Sequence, residues 1–272
     1  MKGSHHNSRV VSDFYFIMKT YLYWSGGKDS TASIILCYEK GIHLDGVVMS
    51  EVMFDHSRNI SGEHPKHIEW VYNVAIPIIE NVFGYKVIIL KDNMDYVQLY
   101  NKKLTRSKKE ERNGKSKGWF MAGRCDGNSQ LKMRPIKKFN KSIKENFQQI
   151  VGIAYDEPKR LERLKGTNKR SVLAEYGITE SMTYDICKKY NLLSPMYEEQ
   201  SRGGCWFCPN NKIKYFAQLK KEYPSLWNEL VKLNENKNTV SRYFNYQYTF
   251  EQIEKKVDLI NNQITLFDLI GD

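Results

Sequence analysis

The chain has 272 residues, 42 Lys+Arg against 31 Asp+Glu, and a net charge of +11. Its 41% hydrophobic and 13% aromatic content can build a real core, which excludes a disordered tail. The length is that of one large domain or of one domain with an appendage, and no run approaches the ~18 apolar residues of a membrane helix.

Residues 1–17 lack an apolar core followed by a small-residue cleavage site, so they do not read as a signal peptide. Gly3-Ser4-His5-His6 resembles an expression tag, and 1–17 are set aside as tag or disordered, with Met18 a candidate start. Lys19–Trp24 is a β-branched and aromatic run ending at Ser25-Gly26-Gly27, after which Ser30–Tyr38 takes up helical spacing until Gly41. Leu44–Ser50 reads as a second strand, Glu63–Phe83 as a helix and Tyr85–Leu90 as a third strand. That alternation predicts a parallel sheet covered by helices on both faces. Residues 101–118 hold eight basic and two acidic residues with no apolar face, a mobile surface excursion by this reading. Phe147–Ala154 restores a strand, and 212–235 and 249–263 have helical periodicity. The surplus of positive charge fits either a solvated Lys- and Asn-rich surface or a polyanionic partner, a nucleotide or a nucleic acid.

The chemistry concentrates first in Ser25-Gly26-Gly27-Lys28-Asp29-Ser30, between strand and helix. Two glycines let the backbone approach an anion, and free N–H groups at a helix start point toward it. Ser25 and Ser30 add hydroxyls, Lys28 a charge, and Asp29 suits a Mg²⁺ ion accompanying a phosphate. The segment resembles the SGGxDS loop of the PP-loop ATP pyrophosphatases, the adenine nucleotide alpha hydrolase superfamily; it lacks Walker A spacing. That resemblance implies binding of ATP with Mg²⁺, cleavage between the α and β phosphates, and an adenylated intermediate.

Three further segments are similar to the PAPS reductase-like branch of that superfamily: Cys125–Lys132 with Pro135, Gly152–Arg160, and Gly204-Cys-Trp-Phe-Cys-Pro209. The resemblance implies catalytic roles for Lys28, Asp29, Lys132 and Arg160, and nucleotide contacts from Ser25 to Ser30 and from Asp156 and Glu157. Asp156 and Glu157 follow an apolar strand at its carboxyl end, where open α/β sheets bind ligands. The alternative for them is a capped helix start with a surface arginine. Lys132 and Arg134 are expected at the same mouth, and Asp55 at ribose or metal. One departure matters. The last twelve residues contain no cysteine, so sulfonucleotide reduction by a C-terminal thiol is not expected.

The five cysteines are odd in number, and four lie beyond residue 120, which argues for a reducing cytoplasm rather than a secreted disulfide framework. Cys205-Trp206-Phe207-Cys208 pairs two thiols on a turn, with Trp206 and Phe207 as its cover. With Cys125 and Cys187 the set can hold a [4Fe–4S] cluster, or Zn²⁺, or no metal at all. By resemblance, cluster-bearing members of the branch include APS reductases and the sulfur-transfer proteins of DNA phosphorothioation. Cys37 falls on an apolar helix stripe and reads as a core residue. His64 and His67 have no partner motif and are expected to face solvent.

The expected architecture is therefore α/β, a doubly wound and mostly parallel sheet. A nucleotide-binding domain is expected at 18–170, followed by a helical region at 171–272 carrying the cysteine site. The expected activity is ATP-dependent adenylation with sulfur transfer, an adenine nucleotide and a nucleic-acid acceptor being the partners and a homodimer the assembly. Two alternatives stay open: a nucleotide-binding accessory protein with structural zinc, and a sulfonucleotide reductase using an external thiol.

Overall fold

The computed structural model describes residues 18–119, 125–199 and 203–262; the segment 1–17 set aside above lies outside them. The chain opens with β1 (Lys19–Trp24), α1 (Lys28–Glu39) and β2 (Gly46–Glu51), followed by a short antiparallel pair, β3 (Met53–Asp55) and β4 (Ile60–Ser61). Next come α2 (Pro65–Trp70), a π-helical turn over Val71–Ala75, α3 (Ile76–Asn81), β5 (Val87–Lys91), α4 (Tyr96–Asn101) and β6 (Ser116–Gly118). A second π-helical stretch, Gly127–Lys132, leads into α5 (Met133–Ser142), β7 (Phe147–Val151), α6 (Pro158–Leu161), β8 (Lys169–Arg170), α7 (Val172–Glu175) and α8 (Glu180–Lys189). The chain closes with α9 (Met196–Glu199), α10 (Ile213–Glu222), α11 (Pro224–Glu235), β9 (Thr239–Ser241) and α12 (Phe250–Asn261).

The main sheet has the order β5-β2-β1-β7-β8 with every pair parallel, so the fold is α/β as the alternating pattern predicts. All six residues of β2 are buried, the pattern of a strand covered on both faces. In β1 burial alternates, with Thr20, Leu22 and Trp24 inside. β1 is central: the chain leaves it to β2 on one side and later returns to β7 on the other. The carboxyl ends of these strands therefore frame the crevice where such sheets take ligands.

Two apolar cores form. The first joins Leu22, Ile34, Ile35, Val47 and Ile150 to Val172, Leu173, Cys187 and Leu192. Packing thus crosses the boundary expected at 170/171, because α7 and α8 lie on α1 and complete the sheet's cover. The second core gathers aromatics, Phe54, Tyr96, Trp119, Trp206, Trp227, Phe244 and Phe250, under α10 to α12. Residues 101–118 are docked rather than free. Gly114 N–H donates to Leu104 O at 2.8 Å, and β6 pairs in parallel with β9. No helix among the described residues is long and apolar enough to cross a membrane.

Gly152, the residue after β7, explains how tightly the crevice closes. A Cβ there would lie 2.5 Å from Ser30 N and 2.8 Å from Asp29 C, both in the first turn of α1. Gly152→Ala should lower stability by about 1–3 kcal/mol through overpacking against backbone, read as a lower urea midpoint. An unchanged midpoint would show that β7 and α1 are not in this contact.

Candidate functional site

The loop after β1 is shaped by its glycines and by residues far away in sequence. Gly26 has φ of +72°, and a Cβ there would fall 2.3 Å from the His67 ring. His67 is 2% exposed and His64 4%, so neither faces solvent as expected. The reason is helical phase: His67 lies three and four residues before Trp70 and Val71, which face the first core. His67 Nε2–H donates to the carbonyl of Ser25 at 3.3 Å, which leaves Nδ1 to accept from Ser194 Oγ at 2.8 Å. The imidazole is a strut under the loop.

Inside the loop, Ser30 Oγ donates to Gly27 O at 3.0 Å and accepts from Ser25 N–H at 3.2 Å. Lys28 is buried, its ammonium 2.6 Å from Asp29 Oδ1 and 2.9 Å from Glu180 Oε1. Burial opposes its charge, yet the hydrogen bonds to Asp29 and Glu180 carry its pKa above the ordinary lysine value. Thr183 Oγ1 donates to Asp29 Oδ1 at 3.0 Å, which fixes that carboxylate from α8. The backbone N–H of Lys28 donates to Tyr197 Oη at 2.8 Å. A phenol oxygen therefore occupies one of the amide positions that the loop would offer to a phosphate oxygen.

A cavity of about 320 Å³ opens above the loop, with Ser25, Gly27, Lys28 and Asp29 at one end. Glu63, Lys132, Glu180 and Tyr197 also line it, as do Gly203-Gly204, immediately before Cys205. Glu63 is 5% exposed, its Oε1 has no hydrogen-bond partner, and Lys132 Nζ stands 4.0 Å from it. The backbones of Glu63 and Cys205 form an antiparallel bridge, so one short contact joins the loop's cavity to the cysteine turn.

Cys205 and Cys208 share a tight turn in which Cys208 N–H donates to Cys205 O at 3.0 Å. Trp206 covers it as expected, fully buried with Nε1–H donating to Ser61 O at 2.8 Å. Cys125, exposed, approaches from the start of the second π-helical stretch. Burial pushes the Tyr96 phenol well above its usual pKa, with the charges of Tyr100, Cys125, Cys205 and Cys208 adding to it. Burial, with Glu63 adding to it, pushes the Cys205 thiol far above its usual pKa.

Cys187 is not brought to these three. It sits in the first core, its thiol 3.3 Å from Lys28 O and pushed up to about 12 by burial. Cys37 is likewise a core residue, as expected. The four-cysteine set expected to hold a [4Fe–4S] cluster or Zn²⁺ is therefore not brought together. Among the described residues, no three His, Cys, Asp or Glu side chains are drawn together to hold a metal ion as they stand. The thiols left outside the first core are Cys125, Cys205 and Cys208, from two segments.

The remaining expected residues lie elsewhere. Asp156 accepts from Glu180 N–H at 2.9 Å at the start of α8, Glu157 accepts from Ala154 N–H at 3.1 Å, and Arg160 pairs with Glu157. None of the three lines the cavity. Arg134 is turned away from the mouth onto Asp92 by a bidentate pair, and Asp55 is held by Ser57 and Arg58. Sequence reasoning missed Glu63, Glu180 and Tyr197, which long-range packing delivers; only His67 carried a local signal.

No protein family and no curated protein matches the sequence. Among solved structures, the chain is similar to the U34-tRNA thiolase NcsA from Methanococcus maripaludis with its [4Fe–4S] cluster. The identity is 14% and the TM-score 0.38, over 92% of this chain and 73% of that one. A likeness that distant carries no argument about this chain's site or activity.

The His67 strut has a pH signature. Burial, the largest influence, holds its pKa below the ordinary value of ~6.5. The unfolded chain thus takes up a proton before the folded one as pH falls. The stability that the neutral ring contributes is present above ~6.5 and is lost as pH drops toward the folded-state pKa. Between about pH 7.5 and about pH 5.5 the Tm of the wild type should fall further than that of His67→Gln. Equal falls would show that the ring is not buried in its neutral form.

Proposed function

We propose that this chain is an ATP-using sulfurtransferase of the PP-loop kind. In this proposal an acceptor oxygen attacks the α-phosphorus of ATP, the bond to the β-phosphate breaks, and pyrophosphate leaves with Mg²⁺. Sulfide then displaces AMP from the adenylated acceptor, so the transfer needs no net oxidant or reductant. The observation that carries it is one cavity lined both by the loop residues Ser25, Gly27, Lys28 and Asp29 and by Gly203-Gly204, which lead into Cys205.

Each residue takes a role in this proposal. Gly27, Lys28 and Asp29 begin α1 and line the cavity, the position at which a helix start favours an anion; a bound phosphate would take the place of Ser25 Oγ on Gly27 N–H and of Tyr197 Oη on Lys28 N–H. Lys28 and Lys132 supply charge against the departing pyrophosphate, and Asp29 is the carboxylate placed to steady Mg²⁺. Glu63, a buried carboxylate 4.0 Å from the Lys132 ammonium, lines the cavity and would accept a proton from the attacking group. Cys125, Cys205 and Cys208 would hold a [4Fe–4S] cluster. When bound, that cluster would supply an iron site that presents sulfide. The aromatic wall of Tyr96, Trp206 and Phe207 behind the cysteine turn would keep water from the thiols.

Pyrophosphate release from ATP by the iron-loaded protein tests this directly. Asp29→Ala should lower it by about 100-fold; unchanged release would overturn the assignment of the loop. Cysteine variants test the metal. Cys205→Ala and Cys208→Ala should lose the broad brown absorbance of anaerobically prepared protein, whereas Cys187→Ala should keep it. Absorbance surviving all of these substitutions would remove the cluster from this site. Tyr197→Phe should bind a non-cleavable ATP analogue about threefold to tenfold more tightly, since one competing hydrogen bond is removed. Weaker binding would make the Tyr197 hydroxyl a nucleotide contact.

A further inference from the structure

A second and larger cavity, open and about 1200 Å³, is not used by the proposed chemistry. Its floor is the two-stranded ribbon of β6 and β9, laid directly on the second core through Trp119. Gly118, with φ of +76°, makes that close pairing available, because a Cβ there would lie 2.6 Å from Ser241 O. The floor is therefore rigid. Its walls are basic. Lys117 and Lys237 are paired with Asp126 and Glu251, while Arg112, Lys115 and Arg242 make no ion pair among the described residues.

Three unpaired cations on one groove face mean a polyanion. Tyr243 narrows its chemistry. Its backbone is pinned by a bridge to Thr249 and by Ser241 Oγ donating to its carbonyl at 3.3 Å, while the residue stays 51% exposed on the groove wall. A fixed, exposed aromatic beside a line of cations stacks unpaired bases, which a duplex does not present. Asn238, exposed on the same wall, has a side-chain amide with no hydrogen bond among the described residues, suited to a ribose 2′-hydroxyl. The groove also points somewhere. Lys117 Nζ grips Asp126 Oδ2 at 2.5 Å, and the next residue back is exposed Cys125.

We infer that the groove between residues 104–119 and 237–243 binds a single-stranded RNA segment and leads it toward Cys125. This deepens the proposed sulfur transfer, on which it rests, by giving its acceptor a class and a track.

Fluorescence anisotropy with a labelled RNA of about ten nucleotides tests it, titrated at several salt concentrations. The charge reversal R112E/K115E/R242E should weaken binding at least tenfold and lower the salt slope by about 2, since each phosphate contact on a single strand contributes ~0.7. Its far-ultraviolet spectrum and Tm should match the wild type. Tyr243→Ala keeps every charge and should cost about tenfold in affinity with an unchanged salt slope, so it decides the matter even if the triple variant misfolds. Unchanged affinity in both variants would overturn the groove. Equal or tighter binding of the same-sequence DNA, or of the annealed duplex, would overturn its assignment to single-stranded RNA. Asp29→Ala should bind the RNA as the wild type does. Failure of the ATP chemistry and failure of the groove therefore give separate readouts.

Discussion

The turn from β1 into α1 is held on two sides by contacts that leave no space for a side chain. Beneath Gly26 stands the buried ring of His67, and against Ser30 and Asp29 stands the backbone of Gly152. Strand β7 and helix α2 thereby fix the direction in which the amides at the start of α1 point. An anion site made of backbone N–H groups works only if those groups are already aimed, because the cost of ordering them then falls on folding and not on binding. The left-handed φ of Gly26 belongs to the same constraint: a residue with a Cβ would meet both a strained backbone and the imidazole.

The charges around the cavity follow from that placement. Two lysines, Lys28 and Lys132, face three carboxylates, Asp29, Glu63 and Glu180. A bare polyphosphate would be repelled by the excess carboxylate, whereas one carrying a divalent cation is matched by it. Lys28 is already committed to Asp29 and Glu180, so in the proposed reaction an incoming phosphate would exchange partners with it rather than simply attract it. Tyr197 belongs to the same exchange. Its helix, α9, ends shortly before Gly203, where a Cβ would lie 2.7 Å from Met196. Movement of Tyr197 off the loop would therefore be felt at the glycines that lead into the cysteine turn.

How much of this was legible in the sequence depended on how local the cause was. The strand, the glycine turn and the helix from Lys19 to Glu39 are written in contiguous residues, and so are the helices on either side of Pro224. The core position of Cys37 could be read from helical phase, and the cover given by Trp206 from its place between two thiols. Cys187 could not. Its helix has the right periodicity for either role, and only the docking of α8 on α1 puts its thiol under Lys28 and away from Cys205. Arg134 and Asp55 met oppositely charged partners, Asp92 and Arg58, that no motif announces. Glu63 and Tyr197 come from segments 38 and 172 residues from Ser25 in number, and only the closed fold brings them to one cavity. The basic stretch 101–118 looked featureless because its pairing partner, β9, lies more than a hundred residues later.

The most direct measurement is a crystal structure with Mg²⁺ and an ATP analogue whose α–β bridge is a methylene group. The account predicts the β- and γ-phosphates on the amides of Gly27, Lys28 and Asp29, with the Tyr197 hydroxyl displaced from Lys28 N and the adenosine lying toward Glu63. Phosphates bound elsewhere, or an unliganded loop with Tyr197 still on Lys28 N at saturating analogue, would contradict it.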